Sequence, residues 1–485
     1  MKDPAGRLVV GLAGEWPTGF EAAWLAQKQP AGVILFSRNV KNYSQLYGLC
    51  RFLHELVPDL EIVADHEGGP VSQLAGALGR PPAAWGLGVL DDVGLTARVY
   101  EETGRRLRAV GIDRVLAPVA DVLTERRNPV IGSRSFGADP TLVARHTVAA
   151  VTGLLAAEMR VCLKHWPGHG GSSGDSHLGE TGVAKGAVPV PFESGLHAGA
   201  GAVMAGHLLV KDQGDPQARI PATLDPEFMA DSRKSLGSGH VENLLFYADD
   251  VTMGALGPAM KRLGVSIPDA LESGLYDPEV LPSAWFEKLA DAGCDRFLIR
   301  GIPRTAFPLS DVPEGGPVPV VTEPTSRITP EPTFSAGAYA EARQRLWAVA
   351  GPGFADPDSE LLWLDYARDD RWAVAAGQDA GPGEAGTMAT LEAGLEGMFS
   401  AVRHGPAPDL PAVPWTRLVV SSHRPLPDLQ DLQEMMPNPA SRGVCLAMGH
   451  PSLQADLEAW LPKGWRVGAL YDIALDELPG GGTKI

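Results

Sequence analysis

From residue 8 to residue 299 the chain alternates short apolar runs with polar or glycine-rich breaks and then with helix-like sequence. The runs are Leu8–Leu12, Gly32–Phe36, Glu61–Ala64, Arg114–Val119, Val161–Leu163, Ala202–Met204, Leu244–Tyr247 and Arg296–Ile299. Each has the length and composition of a strand. Between them, Ser44–Leu56 and Leu142–Ala157 place apolar residues at i, i+3 and i+4, which predicts helices. Asp225-Pro226-Glu227 reads as an N-cap, a proline at the first helical position and an acidic first turn. Eight β units alternating with helices is the pattern of a (β/α)8 TIM-type barrel, an α/β fold. Helices are harder to place between Asp65 and Ala97, where glycine and proline are frequent.

Beyond the eighth run, the proline-rich stretch Pro308–Pro332 reads as a linker. Helix-like Ala340–Trp347 is expected to close the barrel. Strand-like Arg417–Val420, Val444–Met448 and Arg466–Leu470, with helix-like Leu453–Trp460 between the last two, predict a smaller α/β domain with a partly parallel sheet. The expected division is residues 1–345 for the barrel and 346–485 for the second domain. The tail around Pro479–Gly482 reads as disordered.

Length and composition fit this picture. A chain of 485 residues with 44% apolar and 21% charged residues is an ordinary globular protein of two or three domains. The net charge of −18 argues against nucleic acid as a partner. Cys50, Cys162, Cys294 and Cys445 are scattered, mostly in strand-like contexts, as buried thiols of a reducing compartment would be. Met1–Gly14 lacks a signal-peptide pattern, and no apolar run reaches about 18 residues, so neither export nor a membrane span is expected. The expected location is the cytoplasm.

The chemistry concentrates in Lys164–His177, sequence KHWPGHGGSSGDSH. Its prolines and glycines exclude a helix. It reads as a strand ending at Leu163 and spilling its polar residues onto a mobile loop. His165 and His169 are four apart, but Pro167 and Gly168 prevent the helix that would align them on a metal, and no compact set of ligands completes a site. No metal or cofactor is therefore expected. His165 reads equally well as a hydrogen-bonded histidine inside the barrel mouth. Asp175 lies two residues from His177, a spacing at which a carboxylate can orient an imidazole for acid–base work, or else simply sit in a solvated loop. Asp249 and Asp250 end the seventh run. One of them is the working group and the other a cap or ion-pair partner, and the residues leave open which. Gly68-Gly69 and Gly132 lack the rest of a phosphate-loop pattern. Polar residues also follow other runs, at Asp65, Asp121 and His207. Strand ends are where barrel active sites gather, so the recurrence points to one shared pocket.

In order along the chain stand Gly32–Asn39, Asp65-His66-Glu67-Gly68-Gly69, Ala117–Val122, Asn128–Gly137, Lys164–His177, Met204 with His207, Pro221–Leu224 and Ala248–Met253. Together they resemble glycoside hydrolase family 3, in particular its β-N-acetylglucosaminidase branch. The resemblance implies Asp249 as nucleophile, His177 as general acid/base and Asp175 as its partner. Asp65, Arg134, Lys164 and His165 are implied to hold the terminal sugar. It further implies a retaining double displacement on a small carbohydrate with a terminal β-GlcNAc, in peptidoglycan recycling. The glycine-rich loop is implied to swing His177 in once the sugar is bound. An imidazole replaces one of the two carboxylates that retaining glycosidases usually carry. Residues 444–470 resemble the family's C-terminal α/β sandwich. The chain departs from the branch at Pro70 and Gln73, which stand where arginines are usual. Two alternatives remain at this point: a phosphorylase of the same family, since an imidazole tolerates incoming phosphate better than a carboxylate does, or a degenerate sugar-binding barrel. Oligomeric state lies beyond the sequence.

Overall fold

The computed structural model describes residues 4–183, 188–210, 220–237, 243–271, 273–309 and 337–350. Beyond these it describes only 360–366, 372–375, 403–404, 417–422, 443–461 and 465–470. Eight parallel strands close into a barrel. They are β1 (Leu8–Gly11), β2 (Gly32–Leu35), β3 (Glu61–Ala64), β4 (Arg114–Val115), β5 (Arg160–Trp166), β6 (Ala202–Ala205), β7 (Leu245–Ala248) and β8 (Arg296–Ile299). Each corresponds to one of the eight apolar runs. The runs are continuous because both strand faces are buried. Val9, Ile34, Val63, Cys162, Tyr247 and Leu298 fill the barrel interior. Their neighbours Leu8, Val10, Val33, Leu35, Ile62 and Ala64 pack outward against the helices. The interior is closed at the strands' N-terminal end by an ion cluster in which Glu61 meets Arg114 and Arg160 at 3.0 Å.

The helices start where local chemistry says they should. α1 (Gly19–Lys28) opens with a Thr18/Glu21 capping box, and α2 (Tyr43–Leu56) is capped by Asn42. α3 (Val93–Val110) is capped by Asp92 and stops at Gly111. α4 (Pro140–Ala156) has Asp139 as N-cap and a proline in its first turn. α5 (Pro226–Gly237) starts at Asp225, whose Oδ1 accepts from the Glu227 and Phe228 amides. The ambiguous region after Asp65 holds a hairpin, His66–Gly68 with Val71–Ser72, and two short helices, Ala75–Leu78 and Ala84–Leu90.

One expectation is corrected. Helix α6 (Gly337–Ala350) packs on the helices that follow β3, not as a closing helix after β8. Its Tyr339 Oη meets Thr103 at 2.7 Å, and Arg345 pairs with Asp92 at 2.7 Å. The wall after β8 is covered instead by the stretch ending at Phe307, whose carbonyl accepts from Trp24 Nε1 at 2.8 Å and whose ring packs on Phe286. Most of the expected linker Pro308–Pro332, and the whole tail Pro479–Gly482, lie outside the described residues.

A second sheet lies beyond α6. Its strands are β9 (Glu360–Tyr366), β10 (Trp372–Ala375), β11 (Arg403–His404), β12 (Arg417–Ser422), β13 (Gly443–Gly449) and β14 (Trp465–Leu470). The order is β10-β9-β12-β13-β14, with β11 also paired to β9, and only β9–β10 is antiparallel. Helix α7 (Ser452–Trp460) packs on β13 and β14. The turn from β13 into α7 meets the barrel loop after β4. There, Arg126 bonds the Ser452 carbonyl at 3.0 Å and Asp456 at 2.7 Å. All four cysteines are buried and free. Among the described residues no helix is long and apolar enough to cross a membrane.

Candidate active site

Strand β5 does not end at Leu163. It runs on to Trp166, and its ladder with β6 slips by one residue between Lys164 and Trp166, leaving His165 as the extra residue of a bulge. Bulges re-aim side chains, and this one turns both Lys164 and His165 onto the cavity at the C-terminal mouth of the barrel. Charged residues can continue the strand because their partners are waiting. Lys164 Nζ, buried, pairs with Asp65 and with Glu67 at 2.5 Å. Arg134 grips Glu67 with two bonds, at 2.8 and 2.9 Å. Burial alone would raise the Glu67 pKa, but Arg134 and Lys164 outweigh it and hold the carboxyl at about 2. The same carboxylates raise the Lys164 pKa against the effect of burial. Asp65, Glu67, Arg134 and Lys164 thus form one ion-paired platform.

Asp121, fully buried, organises His165 and the loop beyond it. Its Oδ2 accepts from His165 Nδ1 at 2.7 Å, and its Oδ1 accepts from the His169 amide at 2.6 Å. His165 Nε2 then faces Arg134 Nη2 at 3.2 Å. A guanidinium only donates, so Nε2 is the acceptor and the ring carries its proton on Nδ1.

The loop after β5 is anchored by the buried residues His169, Ser172 and Ser176, while Asp175 and His177 at its far end are partly exposed. His169 is buried and bridges two serines, with Nδ1 2.8 Å from Ser172 Oγ and Nε2 2.9 Å from Ser176 Oγ. Burial and the neighbouring His165 push its pKa down to about 4. Asn128 Nδ2 donates to the carbonyls of His169 and Ser172 at 2.9 and 2.8 Å. At the far end, Asp175 Oδ1 accepts from both the amide and Nδ1 of His177, each at 2.8 Å. The loop is tied to the segment after β7, where the Gly254 amide donates to the His177 carbonyl at 2.9 Å. A Cβ on Gly254 would lie 2.7 to 2.9 Å from three carbonyl oxygens, so only glycine permits this approach.

The carboxylate pair at the end of β7 divides its labour. Asp250 is an ion-pair and turn partner, since it meets Arg300 and its Oδ1 accepts from Thr252 N and Oγ1. Asp249 Oδ1 accepts only the adjacent Asp250 amide at 2.8 Å, and its side chain lines the cavity. Burial would raise the Asp249 pKa, but the imidazoles of His165, His207 and His177 and the Asp250 N–H bring it well below the ordinary carboxylate range. His207 is itself locked between Thr223 Oγ1 at 2.8 Å and the Asp250 carbonyl at 3.1 Å.

The cavity measures about 370 Å3. Asp65, Arg134, Lys164, His165, Asp175, His177 and Asp249, the seven residues singled out from the sequence, all line it, although they come from five different strand ends or loops. Pro70 and Gln73 line it too, and Gln73 Oε1 accepts from the Ser37 amide at 3.0 Å. Sequence reasoning missed the part played by Glu67 and the scaffolding roles of Asn128 and of His169, which it weighed only as a metal ligand. Glu67 was legible only as a charge next to a glycine pair, and nothing local marks Asn128 as a hub. Among the described residues no cluster of three or more His, Cys, Asp or Glu side chains is arranged to hold a metal ion.

Residues 14–283 match the profile of the glycosyl hydrolase family 3 N-terminal domain. A β-hexosaminidase from Stenotrophomonas maltophilia is 33% identical over 264 residues, which span 51% of this chain and 75% of that protein. NagZ from Neisseria gonorrhoeae, solved in complex with N-trifluoroacetyl-D-glucosamine, superposes with a TM-score of 0.51 at 29% identity. The match covers 61% of this chain and 82% of that one. A family 3 β-N-acetylglucosaminidase from a Paenibacillus species shares the fold over 96% of this chain and 88% of its own, with a TM-score of 0.65 at 19% identity.

Proposed function

The chain belongs to glycosyl hydrolase family 3 and is a glycoside hydrolase, and we propose that it is a retaining exo-β-N-acetylglucosaminidase acting on terminal β-GlcNAc of peptidoglycan fragments. The observation that carries the proposal is the meeting in one cavity of an oriented imidazole, His177 on Asp175, with a carboxylate, Asp249, kept ionised by its surroundings. In this reading Asp249 is the nucleophile. Its Oδ1 is occupied by the Asp250 amide, which leaves Oδ2 to attack the anomeric carbon. Asp175 fixes the His177 ring through Nδ1, so Nε2 carries the proton to the glycosidic oxygen as the bond breaks. Nε2 then accepts a proton from water, which attacks the glycosyl-enzyme and releases the sugar with its configuration retained. Asp65, Lys164, Arg134 and His165 hold the terminal sugar, with Glu67 keeping the two cations in place. The GlcNAc assignment draws on the names of the hexosaminidase relative and of the sugar-bound NagZ.

Hydrolysis is favoured over phosphorolysis by the charge of the cavity. Lys164, Arg134 and Arg300 are each matched to a carboxylate, while Asp175 and Asp249 add further negative charge against an incoming phosphate. Residues 1–345 are the proposed catalytic unit and 346–485 the second domain. The four buried free thiols support a reducing, cytoplasmic setting.

The test is release of nitrophenol from an aryl β-GlcNAc beside the matching β-glucoside, for wild type and Asp249→Asn. Turnover of the GlcNAc compound alone, lost in the variant, is expected. Activity surviving in Asp249→Asn would refute the nucleophile, and GlcNAc-1-phosphate formed in phosphate buffer would refute hydrolysis.

A further inference from the structure

We propose that His450, at the turn where β13 enters α7, is a positioning residue for the active site, so that the C-terminal sheet takes part in building the sugar pocket. The inference rests on the function proposed above for its kinetic readout, and on geometry alone for its structural one.

His450 is buried and its hydrogen bonds define its tautomer. The Ser452 amide donates to Nδ1 at 3.1 Å, so Nδ1 is the acceptor and Nε2 carries the proton. Nε2 donates across the domain contact to the Asn128 carbonyl at 2.9 Å. Asn128 is the residue on which two parts of the active site converge. Its Nδ2 holds the His169 and Ser172 carbonyls, at the start of the loop that carries Asp175 and His177. Its Oδ1 accepts from the Val130 and Ile131 amides at 2.9 and 2.8 Å, shaping the turn that presents Arg134, whose Nη1 in turn bonds the Val130 carbonyl at 3.1 Å.

A second contact bears on the same turn. Gly132 has φ +44, and a Cβ there would lie 2.8 Å from His450 Cδ2 and 3.1 Å from Nε2. The imidazole therefore sits flush against the backbone of the pocket wall, and Gly132 lines the cavity on its other side. One side chain of the second domain thus sets the height of the wall that carries Arg134. Through Asn128, it also sets the anchor of the loop that carries the acid–base pair. Removing its N–H leaves the buried Asn128 carbonyl without this partner, a loss of the size that shifts a loop.

The experiment compares wild type, His450→Leu and His450→Gln by kinetics on the aryl β-GlcNAc and by amide hydrogen exchange. Leucine keeps the bulk and removes the donor, whereas the glutamine amide reaches the same carbonyl. The expected result for His450→Leu is a fall in kcat/KM on the order of 10- to 100-fold. Faster exchange in residues 128–134 and 169–177 should accompany it, with the barrel strands unchanged and both effects reversed in His450→Gln. Wild-type kinetics in His450→Leu, or faster exchange confined to residues 443–461, would overturn the proposal. If leucine unfolds the second domain, Gly132→Ala disturbs the same contact from the barrel side, and wild-type exchange in 169–177 for that variant would also overturn it. A wild-type enzyme inactive on β-GlcNAc would count against the proposed function, and the exchange result would still decide the role of His450.

Discussion

Asp121→Asn tests how the site is held together, because the replacement keeps shape and removes only charge and one acceptor. Asp121 receives three N–H groups, from His165 Nδ1 at 2.7 Å, the His169 amide at 2.6 Å and, at 3.2 to 3.3 Å, the His165 amide. An asparagine must choose. If its oxygen stays on the His169 amide, its NH2 faces His165 Nδ1 and forces the ring to carry its proton on Nε2. That proton then points at Arg134 Nη2, now 3.2 Å away as a second donor. If the amide flips, its NH2 opposes the His169 N–H instead. Either way one bond to a charged acceptor is lost, worth about 1.5 to 3 kcal/mol, and a second contact of about 1 kcal/mol turns repulsive. A total near 3 kcal/mol expressed in the transition state corresponds to roughly a hundredfold fall in kcat/KM. The assay is steady-state kinetics on the aryl β-GlcNAc, with a melting curve to confirm folding. A folded Asp121→Asn enzyme within threefold of wild-type kcat/KM would refute the idea that Asp121 sets the His165 tautomer.

Asp175→Asn is expected to lower kcat by about 10^2 or more, with KM little changed, because the ring loses its orienting carboxylate while the sugar platform is untouched; a drop confined to KM would contradict that role. Glu67→Gln removes the carboxylate that Arg134 pairs with and leaves Lys164 with Asp65 alone, and breaking a buried pair of this kind costs roughly 3 to 5 kcal/mol. A denaturant midpoint equal to wild type would show that the platform is not the stabilising unit described. Acid should destabilise the fold through its buried imidazoles. His169 and His450 are held down to about 4 by burial, against about 6.5 when unfolded. Groups whose folded pKa is depressed in this way are neutral in the fold and take protons first in the unfolded chain. Their stability is therefore complete above about pH 6.5 and is lost as pH falls toward 4, by up to about 3 kcal/mol each. Urea unfolding from pH 7 to pH 4 measures this, and a flat free energy across that window would contradict it.

The eight barrel strands were legible because a parallel strand buried on both faces is, over most of its length, a short apolar run, which is a local code. One helix start was legible for a different reason: Asp225 accepts a backbone N–H three residues on, so its signal is local. Asn42, Asp92 and Asp139 cap their helices in the same way but were not among the expected caps. The code failed at β5, where Lys164 and His165 read as the end of a strand. Their polar groups are met by residues 99 and 44 positions away, so no window around them reveals that they can remain in the barrel. It failed again at α6, whose helical stretch Ala340–Trp347 is legible but whose partner is not. Its Tyr339 meets Thr103, 236 residues earlier.

The sequence by itself determined the number and order of the barrel's strands, one helix start at Asp225 and, through the ordered motifs, the seven residues that line the cavity. These depend on local periodicity and on residue type. Bare chemistry left Asp249 and Asp250 equivalent and the motif favoured Asp249; tertiary structure supplied the reason, since Arg300 and Thr252 close on Asp250. It alone decided that the loop after β5 is anchored from within, through His169, Ser176 and Asn128. And it alone brought His450 against Asn128, 322 residues away. The physical reason is common to all three. A hydrogen bond or ion pair across the barrel mouth is set by where the folded backbone brings two groups, and neither group carries a mark of its partner.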